Sequence, residues 1–306
     1  MPISGGRDST YVLSIVKNEL KLNPVAYTYD WGLVTDLARR NQSRLCQELG
    51  VEHIWVSADI RKKRKFVRQN VTAWLHKPDL GIIPLFMAGD KMFFSHANEL
   101  SKKLSLPTMF FGMNEFENND FKEGFCGVNK MKFGQDGRFY HMDSNQQIKM
   151  IFHYFKEFIT NPKYINSSIF DTASAYMIYY LSHHNYNFFF KYFPWNEEVV
   201  NEHIIKNYNF ELSPDTDSTW RIGDGTAAFY NYIYHSLAGF SEADPMRSNQ
   251  IREGHITREQ GLQLINRDNR PRYESIEWYC NTIGLDPRRV LETIDAIPFV
   301  ENKWKP

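Results

Sequence analysis

Ser4, Gly5, Gly6, Arg7, Asp8, Ser9 and Thr10 stand together near the start of the chain and carry types suited to gripping an anion. Paired glycines let the backbone turn through conformations closed to other residues. Such a turn can aim successive N–H groups at one phosphate. Ser4, Ser9 and Thr10 add hydroxyl donors, and Asp8 adds a carboxylate. Tyr11, Val12, Leu13, Ile15, Val16 and Leu20 then recur at helical spacing, so the loop is expected to open a helix. A helix N-terminus favours an anion through its unpaired N–H groups and its dipole.

The elements that would position this loop are expected to alternate. Pro24 to Asp30 reads as a buried strand with an acidic end, residues 34 to 49 as a helix stopped by Gly50, and His53 to Ser57 as a second strand. Strand, helix, strand argues for a parallel sheet with crossover helices. Phe86 to Leu106 reads as a helix broken by Pro107, and Thr108 to Phe111 as a third strand running into Gly112-Met113-Asn114-Glu115-Phe116-Glu117. Ligands of open parallel sheets bind beyond the carboxyl ends of the strands, which puts Ser4–Ser9, Asp30 and Gly112–Glu117 on one rim. Glu115 to Asn145 has weak periodicity and reads as a cover over that rim. Beyond it the texture is helical, with stripes at 146–160, 168–183 and 195–207. Thr257 and Gln260 suggest a capping box, and Asp286-Pro287 a helix start after Gly284. The fold class expected is α/β: an ATP-binding parallel-sheet domain over 1–143, then a mainly helical region over 144–306.

Lysine plus arginine equals aspartate plus glutamate, 36 each, so no global field draws the chain to nucleic acid or an anionic membrane. With 23 Phe, 17 Tyr and 7 Trp, aromatics are expected to dominate the core. Cys46, Cys126 and Cys280 form no C-x-x-C pair, which points away from a disulfide framework or zinc site. No leader and no spanning apolar run is seen, so a soluble cytoplasmic protein is expected. Arg61 to Lys65 is a run of five cations, read as a solvated helix face or an anion-facing patch.

Ser4 to Ser9, S-G-G-R-D-S, lacks the lysine of a Walker loop. It resembles the PP-loop, S-G-G-x-D-S, of the ATP pyrophosphatase superfamily. That superfamily cleaves ATP between the α and β phosphates and adenylates a substrate oxygen. Further stretches extend the likeness: G-L-V-T-D-L-A-R-R-N from Gly32, H-A-N-E-L-S-K-K-L-S-L-P from His96, F-G-M-N-E-F-E from Phe111, G-D-G-T-A from Gly223, and D-P-M-R-S-N-Q-I-R-E-G-H from Asp244. Together these are similar to the N-acetyl sugar amidotransferase family, which makes acetamidino groups on surface-polysaccharide sugars. Members of that family carry a cysteine-rich segment and a full apolar strand before the loop, whereas here only Met1-Pro2-Ile3 precede Ser4. A first strand completed by further chain or a partner is therefore expected.

The resemblance implies ATP and Mg²⁺ as ligands. Ser4, Gly5, Gly6, Arg7, Asp8, Ser9, Thr10, Asp30 and Gly112 would hold ATP, and Asp8, Asn114 and Glu117 would serve catalysis. Asp8 and Asp224 would hold the metal, with a backbone-bonded turn as the alternative role of Asp224. His96, Arg247 and Arg252 would contact substrate, with plain packing or solvation as their alternative. A small sugar acceptor, a separate glutaminase supplying ammonia and a homo-oligomer are the expected partners. A ligase or thiolase acting on RNA or a small molecule, and a non-catalytic nucleotide-binding subunit, stay open as alternatives.

Overall fold

The computed structural model describes residues 1–128, 132–133, 140–182 and 186–300. The chain is α/β and mostly helical, with 62 % of it in helix, so helix packing rather than a sheet carries most of the fold. β1 (Ala26–Asp30) and β2 (His53–Ser57) pair in parallel through the crossover helix α2 (Asp36–Leu49). Met1 to Ile3 lie along the other side of β1: Ile3 N–H donates to Tyr27 O at 2.8 Å, and Tyr27 N–H to Met1 O at 2.9 Å. The expected third strand is reduced to β3 (Phe110–Phe111), which pairs in parallel with β6 (Asn187–Phe188). In place of the one parallel sheet expected, the described residues hold two separate short parallel strand pairs. Their bounds have local causes: Pro2 has no N–H to give a ladder, and Pro107 and Gly112 bracket β3.

Local signals set several boundaries. Thr35 Oγ1 accepts the N–H of Ala38 to cap α2, and Gly50 closes it in the left-handed region at φ 57°. Thr257 and Gln260 make the reciprocal box that opens α11 (Arg258–Asp268). Asp286 caps α13 (Pro287–Asp295). The expected helix over 86–106 divides instead. Leu80–Lys91, with Pro84 inside it, winds as 3-10 turns before α4 (Met92–Lys103) begins. In an α-helix the proline ring crowds the carbonyl four residues back, and short 3-10 turns are frequent as connectors to an α-helix.

The core joins the two halves of the chain. One apolar cluster takes Tyr27, Tyr29 and Trp31 from the β1 region, Val71 and Trp74 from α3 (Ile60–His76), and Ile82, Ile83 and Phe86 from the 3-10 segment. It also takes Phe229, Tyr230, Ile233 and Tyr234 from α9 (Ala227–Ala238) and Ile276 and Tyr279 from α12 (Tyr273–Ile283). Phe229 stacks on Tyr279 with centroids 4.6 Å apart. The cations of α3 serve packing too. Arg64 donates to Gly32 O at 2.9 Å, and Lys63 pairs with Asp171.

The stretch read as a cover is anchored through its first part. Glu115–Glu117 forms a 3-10 turn, and α5 (Phe121–Gly124) buries Phe121 between Tyr234 and Phe240. Positions 129–131 and 134–139 of that stretch lie outside the described residues, as do 183–185 at the end of the expected 168–183 helix. α6 (Ser144–Thr160) turns Ile148, Ile151, Phe152, Phe155 and Ile159 outward, each more than half exposed. Nothing among the described residues covers this stripe. No helix among them is long and apolar enough to cross a membrane.

Two glycines separate conformational strain from steric contact. Gly5 has φ 73°, and a Cβ there would lie 2.5 Å from Ala38 O; Gly50 has φ 57° with open space around it. Gly50→Ala should therefore cost about 1–2 kcal/mol, the left-handed penalty alone. Gly5→Ala should cost clearly more, because backbone must also move. Urea unfolding of both variants checks this, and equal losses would refute the contact.

Candidate active site

The first turn of α1 (Arg7–Asn18) forms the centre of the candidate site. Gly5 takes the left-handed conformation and Gly6 the extended N-cap position. The loop hydroxyls tie it together. Ser9 Oγ accepts Ser4 N–H at 3.2 Å, lies 3.3 Å from Ser4 Oγ, and donates to Gly6 O at 3.2 Å. Thr10 Oγ1 donates to Gly6 O at 2.9 Å. As first-turn residues, Arg7, Asp8 and Ser9 have N–H groups with no partner inside the helix. Gly112 follows β3 directly, and a Cβ on it would lie 3.1 Å from Asp8 O and 3.2 Å from Ser9 N. Glycine there keeps the approach to these amides open. Gly223 packs in the same way, its notional Cβ 3.1 Å from Ser4 O.

Beneath the loop lies a buried ionic network. Arg7, 3 % exposed, donates from Nη1 to Glu197 at 2.7 Å, from Nη2 to Glu117 at 3.4 Å and from Nε to Asp8 at 3.3 Å, and lies over the Trp195 ring at 5.0 Å. Asp8 Oδ2 accepts Asn114 Nδ2 at 2.6 Å, and Oδ1 accepts Trp195 Nε1 at 2.9 Å. Asn114 also reaches Glu117 at 3.2 Å. Burial pushes the Asp8 carboxyl up to about 6 although Arg7 pulls it down; Glu117 adds to the rise. Burial acts on Glu197 in the same sense, yet Arg7 and Arg247 outweigh it and hold Glu197 down at about 2.

The sequence candidates therefore divide. Asp8, Asn114 and Glu117 meet at one point, and Gly112 and the 223–224 turn close on the loop. Asp30 sits at the end of β1, but its oxygens accept Gly32 N–H at 2.8 Å and Arg39 at 2.8 and 3.1 Å. Asp224 Oδ1 accepts Thr226 N–H at 2.9 Å and Thr226 Oγ1 at 2.6 Å, the turn-forming role. His96 packs against Tyr29 with centroids 5.1 Å apart and sits 3.7 Å from Glu99. Arg247 is fully buried, bonded to Glu197 and to Asp268 at 2.6 Å. Arg252 donates to Asn249 and Ser248 of its own helix.

Sequence reading passed over several members of the network. Trp195, Glu197, Arg221, Glu242 and Lys122 carried no motif. Arg221 joins Glu117 at 3.4 Å and lies 3.6 Å from Glu242. Glu242 accepts Lys122 at 2.5 Å and Tyr230 Oη at 2.7 Å. The three cysteines are all buried. Burial pushes the Cys46 thiol up to about 11 and Cys280 to about 12, and raises Cys126 as well. No group of three His, Cys, Asp or Glu among the described residues could by itself hold a metal ion.

Compared with models of known protein families and with curated proteins, the chain matches none.

Glu242 gives a pH test of the network. Burial alone would raise its carboxyl, but Arg221 and Lys122 hold it down at about 2. A depressed carboxyl stabilises the fold fully above its ordinary value near 4.5, and that contribution drains away as pH falls toward 2. Glu242→Gln should flatten this acid limb. At pH 7 it should cost about 3–5 kcal/mol, since Lys122 is left buried without its partner. Urea midpoints from pH 3 to 7 measure both effects; an unchanged acid limb would count against the assignment.

Proposed function

We propose that this chain is an ATP-dependent adenylating enzyme of the PP-loop type, and specifically an amidotransferase acting on the N-acetyl group of a sugar. The observation that carries the reading is the Ser4–Ser9 turn. It has a left-handed Gly5, opens a helix, and lies against Gly112 with the first-turn amides beside it. Such an end favours phosphate through free N–H groups and the helix dipole. In this reading the amides and the Ser4 and Ser9 hydroxyls hold the β and γ phosphates. The pyrophosphate so held is the leaving group, and attack by a substrate oxygen falls on the α phosphorus. An amide oxygen leaves poorly by itself, and as AMP it leaves easily when a nucleophile adds.

The chain's own residues supply position and charge. Asn114 holds the Asp8 carboxylate, and Arg7 neutralises it from below. Asp8 suits Mg²⁺, which takes one or two carboxylates and completes its shell with phosphate oxygens and water. Bound there, the metal would offset phosphate charge. Asp224 stands next to the loop through Gly223 and is the second candidate ligand.

Nitrogen rather than sulfur is the atom proposed for transfer. Sulfur chemistry needs an accessible thiolate in an electropositive setting, whereas burial disfavours the thiolate at Cys46, Cys126 and Cys280. Cys126 Sγ instead donates to Gly81 O at 3.3 Å. Ammonia would come from solution or a separate glutaminase.

Two measurements test the reading. Incubated with ATP, an N-acetyl sugar acceptor and labelled ammonium, the protein should release AMP and pyrophosphate and incorporate the label. A Cys46→Ser, Cys126→Ser, Cys280→Ser variant that folds should keep this activity. ADP and phosphate as products would remove the PP-loop reading, and loss of turnover in a folded Cys126→Ser variant would favour sulfur transfer.

Asp8→Asn separates function from stability. The buried carboxyl is raised, so ionising it weakens the fold as pH climbs through about 6. Asn removes that penalty but offers one acceptor where Asp8 accepts from Arg7, Trp195 and Asn114, so at least one buried donor is stranded. The variant should melt below the parent at pH 7 and, in its folded state, bind ATP at least about tenfold more weakly, the loss of roughly one charge-assisted contact. Calorimetry with ATP reads both; parent-like affinity would exclude Asp8 from the site.

A further inference from the structure

One face of α6 holds it to the body of the protein. Met150 is buried, His153 Nε2 lies 3.0 Å from Asp79 Oδ1, and the buried Glu157 accepts Lys77 Nζ at 2.8 Å. A capping box from Asp143 and Gln146 fixes the first turn. The other face is the stripe of Ile148, Ile151, Phe152, Phe155 and Ile159, each more than half exposed. At 3.6 residues per turn these five fall within about a third of the helix circumference. They make one contiguous patch on the order of 500 Å², at the upper end of what a soluble monomer leaves open.

The charges beside the stripe are of one sign. Lys149 and Lys156 follow it along one flank, both exposed and without a carboxylate partner among the described residues, and Lys163 adds a third exposed cation just past the helix end. Glu157 is the only acidic residue from Ser144 to Phe170, and it is buried against Lys77. The occupant that fits is therefore apolar within and anionic at its edge. The α6 of a second copy does not meet this, because it brings lysines and no accessible acid. The interface of an anionic bilayer does: acyl chains take the Ile and Phe side chains, and headgroups take the ammonium groups. The balanced total of 36 basic and 36 acidic residues does not oppose it, since such attraction acts within a Debye length of the surface.

We propose that the outer face of α6 docks on the surface of an anionic lipid bilayer. The helix, about 25 Å long, lies in the headgroup plane with Ile148, Phe152, Phe155 and Ile159 toward the acyl chains and Lys149 and Lys156 at the phosphates. Docking of this kind needs no helix that crosses the membrane, and none is present among the described residues. The inference does not depend on the ATP reading, because no residue of the Ser4–Ser9 loop or of the ionic network beneath it takes part.

The test is co-sedimentation of the whole chain with vesicles of phosphatidylcholine alone and of an equal mixture of phosphatidylcholine and phosphatidylglycerol. The protein should bind the mixed vesicles, bind the neutral ones far more weakly, and be released by added salt. Lys149→Gln with Lys156→Gln should weaken binding to the mixed vesicles about fivefold per lysine. Phe152→Ser with Phe155→Ser, both at exposed positions, should abolish it while leaving the urea midpoint unchanged. No binding to the mixed vesicles, equal binding to both kinds, or unchanged binding in the lysine variant overturns the proposal. So does a dimer in sedimentation equilibrium that the Phe152→Ser, Phe155→Ser variant dissolves, because the stripe then belongs to a second copy.

Discussion

Burial of the Arg7 guanidinium beneath its own loop is the constraint on which the rest of the structure depends. A guanidinium cannot shed its proton, so it must be paired wherever it is buried. Here the partners come from three places, one adjacent and two distant: Asp8 beside it, Glu117 after β3, and Glu197 at the start of α8 (Glu197–Tyr208). Each partner carries its own obligations. Glu197 needs Arg247, and Arg247 needs Asp268. Glu117 touches Arg221, which lies beside Glu242. A single buried charge at the loop thus ties the first helix to α10 (Ala243–Arg252) and α11.

Buried ion pairs add little net stability, but removing one member is costly because it strands the other. The network therefore works as a register device for this chain. It makes alternative placements of α8 and α10 against α1 costly while leaving the driving force to aromatic packing. The apolar core supplies that force. Phe229 and Tyr230 sit at the junction, Phe229 inside the aromatic core and Tyr230 bonded to Glu242. Core and network are thus joined on adjacent residues of one helix.

The two separate strand pairs are consistent with this division of labour. Their strands are too short to organise 306 residues, yet they hold the two segments the loop needs. Met1–Ile3 deliver Ser4 at the edge of β1, and β3 delivers Gly112 to the first turn of α1. Asp30 shows the opposite outcome. It stands at a strand's carboxyl end as expected, but Arg39 of α2 lies within reach and takes both hydrogen bonds to one of its oxygens.

Signals carried within a few residues were legible in the sequence. The glycine turn opening α1, the Gly50 stop of α2, the Thr257–Gln260 box and the Asp286-Pro287 start all depend on neighbours less than one helical turn away. Their geometry therefore follows from residue type. Asp8 does meet Asn114, which reaches Glu117 in turn, as the expectation of a shared rim placed them, although β3 pairs with Asn187–Phe188 and not with β1 or β2. Other contacts across long separations were not legible. Nothing near Trp195 announces that its indole N–H will bond Asp8, 187 positions away. Arg247 and Arg252 lie on one helix, five positions apart. Tertiary packing alone made Arg247 an internal counter-ion and left Arg252 at the surface. Whether a charged side chain faces a ligand, a carboxylate or water depends on which chain segment arrives opposite it, and only the folded structure decides that.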